Sequence, residues 1–392
     1  MPDRSRQAVP TTAAVTVTAV GDLATLACHH EEWSELAGRA LEPNVFYEPD
    51  MLLPALRDLA PAPGWRVLLI RQEGRLIGLV PLQRYALGRI STGLMLELLR
   101  YRHSFLHVPL IDADAATAAL DGLLAWFARS GGPALLLCRR LTVAGPFCRL
   151  LRERATGQGM PVRESRLYSR PALIPAGDAE AYLGRALGGD RRRELRRQRR
   201  LLEALGQVES HWVAPGQSPA AWLDGFLALE AQGWKGDNRS AIASRAQQVP
   251  FFRGAVAALH ARSRALLGGL TLDGRWIAMN CSLRAAGAHG GAFAFKTTYD
   301  ESLRRFAPGL LMEVEFIRRM FADSGGVPWL DSCCGPDNAV IARLWSDRRP
   351  IGDLTLAAAG AKGRAGLWAQ ERALAWRARR QGFDAGDDKM DA

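Results

Sequence analysis

The stretch from Phe295 to Pro336, FKTTYDESLRRFAPGLLMEVEFIRRMFADSGGVPWLDSCCGP, reads as strand, loop, helix, turn and strand. Its polar groups gather where the strands end, which is where chemistry is expected. The first strand, Gly291 to Thr297, carries an apolar run that ends at Lys296, and a polar loop with Tyr299, Asp300, Arg304 and Arg305 follows. Pro308 and Gly309 then open a helix. Proline suits a first helical turn because its missing N–H would have had no partner there, and glycine lets the backbone approach a ligand closely. Leu310, Val314, Ile317 and Phe321 recur at helical spacing, with Glu315 placed four residues before Arg319 on the wet side. The Asp-Ser-Gly-Gly run at 323–326 ends the helix, and Pro328 to Cys333 returns as a strand.

Working outward, part of this plan occurs twice. EGRLIG (Glu73 to Gly78) recurs as DGRWIA (Asp273 to Ala278), each after an apolar strand that opens RVLL (Arg66) or RALL (Arg264). FARSGGPALLL (Phe127 to Leu137) recurs as FADSGGVPWLD (Phe321 to Asp331). Both pairs keep their order and similar separation, which predicts a duplicated unit of helices, a strand hairpin, a third strand, a helix and a fourth strand. At aligned positions the first copy has Leu137 where the second has Asp331. The first copy also lacks a counterpart to Lys296, Tyr299 and the Pro308-Gly309 pair, so the second is expected to be the working one.

The 392 residues, 48% hydrophobic and 23% charged, are enough for two domains of about 150 to 200 residues. The expected division is a disordered leader at 1–14, a supporting unit at 15–178, a second unit with the ligand site at 179–358, and a helix with a disordered tail at 359–392. No apolar run approaches the roughly 20 residues that span a bilayer, and the N-terminus lacks the apolar core of a secretory signal, so a cytoplasmic location is expected. Six cysteines without a Cys-x-x-Cys pair point to reduced thiols and no metal site. The net charge of +11 favours anionic partners. Nearly all of it is arginine. Lysine occurs only at Lys235, Lys296, Lys362 and Lys389, so the first two are candidates for a role that needs a compact ammonium.

Between the halves, Asp190 to Gly206 (DRRRELRRQRRLLEALG) reads as an arginine-rich helix with Asp190 as N-cap and Leu195 and Leu202 on one stripe. A solvated basic helix is favoured over a phosphate or tRNA surface, because no aromatic residues interleave with the arginines. The closing strand is expected at Pro350 to Ala357. A helix with Trp368 among arginines follows it, packed on the body, with peripheral membrane contact as the lesser reading. His103 and His107 are four apart in what reads as a strand and need not share a face, which argues against a metal pair.

The FKTTYD string, the APGLL helix opening, the LDSCCGPDN turn and the LEAQGWKG segment (Leu229 to Gly236) together resemble the CelD/BcsL-like branch of the GNAT acyltransferases, a branch associated with cellulose biosynthesis. The resemblance covers roughly Phe46 to Leu356. It implies an α/β fold of two tandem GNAT units, each a mixed central sheet flanked by helices, related to the Fem-type aminoacyltransferases. It further implies acyl transfer from acyl-CoA, most simply acetyl-CoA, to an amine of a small molecule, a polysaccharide or a cell-envelope precursor, with no permanently bound cofactor. Carried onto this chain, the donor's pantetheine would lie along the strand that holds Phe295, Lys296 and Thr297. Its pyrophosphate would rest at Pro308, Gly309 and Leu310 with Arg304 and Arg305 adding charge. Unpaired amides at a helix start favour an anion there on physical grounds as well. No DNA partner is expected. The alternatives are a Fem-like transferase that uses aminoacyl-tRNA, and a non-catalytic module of exopolysaccharide assembly.

Acyl transfer needs a base for the attacking amine, donors for the oxyanion and an acid for the departing thiolate. Asp331, at the end of the last core strand, is the first choice for a base or amine-binding carboxylate; a cap of the following turn is the plainer reading. Glu230 is a second carboxylate that would face the acceptor if it is not a solvated helix position. Cys333 and Tyr299 are candidate acids, although free cysteines are mostly core residues. Trp234, Lys235 and Asn338 are expected to line the acceptor pocket. Lys296 is expected to bind donor phosphate or an acceptor carboxylate.

Overall fold

The computed structural model describes residues 14–59, 64–87, 90–233, 241–287, 290–322, 327–336 and 338–381. The expected leader and tail lie almost wholly outside these residues, and Trp234 and Lys235 lie outside them as well. The first half runs β1 (Val15–Val20), α1 (Leu23–Ala27), α2 (His30–Gly38), α3 (Pro49–Asp58), β2 (Arg66–Gln72), β3 (Arg75–Leu87), β4 (Ile90–Leu98), β5 (Leu110–Ile111), α4 (Ala116–Ala128), β6 (Leu135–Thr142), α5 (Pro146–Gly157) and β7 (Val162–Leu173). The second runs α6 (Ala179–Glu203), β8 (Val208–Trp212), α7 (Ala220–Gln232), α8 (Gln248–Ala261), β9 (Ala265–Leu272), β10 (Arg275–Arg284), β11 (Ala292–Tyr299), α9 (Pro308–Ala322), β12 (Leu330–Asp331), α10 (Ala339–Leu344), β13 (Asp347–Ala357) and α11 (Gly360–Gln381).

The strands form one mixed sheet in the order β1-β2-β3-β4-β6-β13-β7-β12-β11-β10-β9-β8. Both halves use the same plan. β1, β2, β3 and β4 pair antiparallel in succession, as β8, β9, β10 and β11 do. The next step is parallel in each half, β4 with β6 and β11 with β12. The recurrent EGR and DGR strings sit at matching hairpin turns, where Glu73 and Gly74 have φ of 51° and 81° and Asp273 and Gly274 have 49° and 77°. Positive φ at both central residues is the type I′ geometry that suits the twist of paired strands. The repeat in the sequence is thus a repeat of turn chemistry.

What the order of the chain does not suggest is the junction. β13 pairs with β6, and β7 pairs with β12, so each half's sheet is completed by a strand from the other. β7 and β13 then pair with each other along most of their length. The core is shared as well. Phe46 meets Phe293 edge to face at 5.4 Å, and Phe105 meets Phe295 at 6.3 Å.

Several expected elements shift for local reasons. The strand expected at 328–333 shortens to Leu330–Asp331, because the Cys333 N–H turns back to donate to Asp331 Oδ1 (2.8 Å) and Cys333 takes a left-handed φ of 55°. Residues 23–38 form two short helices, α1 and α2, and a 3₁₀ turn (Val45–Tyr47) comes before Pro49 opens α3. A short helical segment precedes the basic helix; Asp178 caps it by accepting from Ala181 N (2.7 Å), and Gly188, at φ 66° and ψ 169°, breaks it. The basic helix runs on from this break, close to the expected start, and Asp190 pairs with Arg193. His103 and His107 lie in the buried connection between β4 and β5 rather than in a strand. His103 Nε2 is 3.1 Å from Gln248 Oε1, and burial holds both imidazoles well below their usual pKa.

Candidate active site

The site begins where β11 leaves β12. The two strands pair only at Ala292 and Phe293, while β11 runs on to Tyr299 beside β10. The register with β10 passes from Lys296 opposite Cys281 to Ala294 opposite Ser282, so Phe295 is an extra residue in β11. Such a bulge bends its strand and raises local twist, which carries the far end of β11 away from β12. β11 then enters a 3₁₀ turn (Glu301–Phe306) whose start is fixed by Asp300 Oδ1 accepting from Ser302 N (2.9 Å). Ala307, at φ 51°, reverses the chain into α9.

A cleft of about 430 Å³ opens at this corner. Thr297, Thr298 and Tyr299 line it from β11, Met279 and Asn280 from β10, Arg304 and Ala307 from the 3₁₀ turn and its end, and Gly309 and Leu310 from the start of α9. The amino end of α9 thus faces the cleft, and its first amides have no partner within the helix. A Cβ on Gly309 would stand 3.2 Å from Tyr299 Cδ1, tighter than an ordinary contact, so glycine keeps this mouth open. Arg304 lines one side. Arg305 is instead folded over the Phe306 ring at 4.6 Å, and Pro308 is buried. Asn338 lines the far side and also caps α10, accepting from Ile341 N (3.1 Å).

Two further charged groups line the cleft that the sequence pattern had not singled out, Arg191 from α6 and Glu313 from α9. Glu313 is buried, and its Oε1 accepts from Trp345 Nε1 at 2.7 Å. Burial pushes its carboxyl up to about 7, an effect that the indole hydrogen bond only partly offsets. Among the described residues lining the cleft it is the one carboxylate. A signal was present in the sequence: Glu313, Ile317 and Phe321 follow each other at steps of four, on the inward stripe of α9.

The other expected residues lie apart from this cleft. Asp331 is fully buried at the two-residue neck of the sheet, with Arg170 Nη1 at 3.3 Å and Arg349 Nη1 at 2.8 Å. Arg170 is itself buried and donates to the Phe105 carbonyl (3.0 Å) and Tyr168 hydroxyl (2.8 Å). Cys333 is half-buried beside them. Burial, and then the neighbouring Asp331 carboxylate, push its thiol well above the usual range, so it rests protonated. Glu230 is buried on α7 and accepts from Ile242 N (2.8 Å). Phe295 belongs to the aromatic core, and Lys296 Nζ lies over the Phe105 and Phe295 rings at 5.4 and 5.6 Å. No group of three metal-ligating side chains occurs among the described residues.

Residues 189–339 match the family described as an acetyltransferase (GNAT) domain. No curated protein matches the chain significantly. Among solved structures, a conserved protein of unknown function from Bacteroides thetaiotaomicron is similar at 13% identity and a TM-score of 0.53, over 88% of this chain and all of that one. FemX is similar at 11% identity and a TM-score of 0.53, over 83% of this chain and 95% of its own. These identities speak to fold alone. Residues 189–339 are thus similar to a GNAT acetyltransferase domain, and the chain as a whole shares a mixed α/β fold with these structures.

Proposed function

We propose that the protein is an acyl-CoA-dependent N-acyltransferase whose donor lies in the cleft between β11 and α9. The observation that carries this reading is the parting of β11 from β12 beside a helix start that exposes Gly309 and Arg304. Parted strands leave room for an extended, amide-bearing arm, while the amino end of α9 and two arginines suit a pyrophosphate. Glu313, titrating near neutrality inside the cleft, is the group best matched to accept the proton of an attacking amine. Tyr299 stands on the wall as a candidate proton donor. Asp331, enclosed by two guanidiniums, is assigned to holding the halves together. The acceptor class implied by the CelD/BcsL resemblance, a glycan or envelope precursor, belongs to the same proposal.

Acetyl-CoA should raise the melting temperature, since a ligand at 100 times its Kd stabilises the folded state by about 2.7 kcal/mol. Gly309→Val should abolish the shift, because its side chain enters the mouth against Tyr299. Wild-type protein that ignores a panel of acyl-CoAs but is stabilised by an aminoacyl-tRNA would move the donor to the Fem-like alternative, for which Arg191 at the cleft is the favouring observation.

A further inference from the structure

A second cavity, of about 490 Å³, lies on the opposite side of α9 from the donor cleft, between α9 and α6. The helix divides its side chains between the two: Gly309, Met312 and Glu313 face the cleft, whereas Leu311, Val314 and Arg318 face the groove. The groove is amphipathic. Leu183, Leu187 and Leu195 of α6 join Leu311 and Val314 to make an apolar floor, and arginines form the rim.

The charges on that rim are not balanced. Arg318 is satisfied by Glu180 (2.7 Å) and Glu315 (2.9 Å), and Arg199 by Glu203 (2.6 Å). Arg192, Arg196 and Arg200 have no carboxylate in ion-pair contact among the described residues. The rim holds five arginines against Glu180 and Glu315, and with Glu203 on Arg199 counted as well the excess is two positive charges. Arg192 carries a more pointed sign. Its Nε is buried without an acceptor, and its guanidinium lies across Gly184, where an added Cβ would come within 3.3 Å. A buried donor without an acceptor is costly unless something supplies one.

We infer that this groove is a docking site for an anionic phospholipid at a membrane surface, with the headgroup phosphate on Arg192, Arg196 and Arg200 and acyl carbon on the leucine floor. Charge alone would fit any polyanion. The apolar floor directly behind the arginines is what selects a lipid, since a phosphate with a hydrocarbon chain satisfies both surfaces at once. The size fits a small-ligand cavity. No described helix is long and apolar enough to cross a membrane, so contact of this kind would be peripheral. This inference does not depend on the acyl donor or on the catalytic assignment.

The test is sedimentation of the full chain with vesicles of dioleoylphosphatidylcholine, with and without dioleoylphosphatidylglycerol. Binding is expected to the anionic vesicles and not to the neutral ones. The triple change Arg192→Gln, Arg196→Gln, Arg200→Gln should weaken it roughly 100-fold. A charge-matched control, Arg149→Gln, Arg364→Gln, Arg372→Gln, should bind as wild type. Equal loss in both triples would overturn the groove as the site, either for general charge attraction or for contact through α11. Leu187→Gln should weaken vesicle binding and leave binding to soluble RNA unchanged. If it leaves vesicle binding intact while RNA displaces the vesicles, the groove takes a polyanion and the lipid assignment fails. Circular dichroism of each variant establishes that it is folded.

Discussion

Replacing Asp331 by alanine should lower the free energy of unfolding by about 3–5 kcal/mol, the cost of leaving a buried charge unpaired. The carboxylate sits on β12, which joins the halves through two residue pairs on either side: Leu330 and Asp331 with Leu173 and Ala172 of β7, and with Ala292 and Phe293 of β11. Its two arginines come from β7 and β13, so the three charges tie three strands at the narrowest part of the sheet. Removing Asp331 strands Arg170, which is 2% exposed. Arg349→Ala should cost less, because Arg349 is partly exposed and one arginine still meets the carboxylate. Urea titrations of both variants provide the measurement. A carboxylate kept only for catalysis would cost activity and leave stability within about 0.5 kcal/mol of wild type, as neutral surface changes do; that result would return Asp331 to the role of base.

The second large effect is expected at Glu313 and has two separable parts. Its carboxyl titrates near 7 in the folded protein against 4.5 for the ordinary group. The folded state therefore holds a proton that the unfolded state has released between those values. The stability linked to this group is fully present below pH 4.5 and is lost as pH rises through 7. At about 1.36 kcal/mol per pH unit, the full loss is about 3 kcal/mol. Glu313→Gln keeps an acceptor for the Trp345 indole and cannot ionise. It should match wild type near pH 4 and exceed it by about 3 kcal/mol above pH 8, read from denaturant titrations at the two pH values. If Glu313 is the base, the same variant should lose about 10²- to 10⁴-fold in rate, and the wild-type rate should climb with pH through 7. A more stable variant with an unchanged rate would place the base elsewhere.

The groove and the cleft put opposite demands on one helix. α9 must offer its first amides and a buried acid to one side and leucine, valine and arginine to the other, which leaves little of its surface to plain solvent. Glu315, on the expected wet side, is in fact enlisted by Arg318 and lies 3.9 Å from Arg199.

Much of the architecture was legible because it rests on local chemistry. The paired Glu-Gly and Asp-Gly turns impose the same hairpin wherever they occur, and Pro308 with Gly309 opens a helix by the same rules in any context. The recurrence of the hairpin turns and the opening of α9 follow from such short-range preferences. The tertiary structure decided what depends on partners far along the chain. The exchange of β7 and β13 is a pairing choice between strands nearly two hundred residues apart, and hydrophobic alternation reads the same whichever neighbour a strand takes. Asp331 and Glu313 are both acids near a cleft in the sequence. Only the packed fold surrounds the first with two guanidiniums and gives the second a single indole, and that difference in surroundings holds one in ion pairs and pushes the other's carboxyl up to about 7.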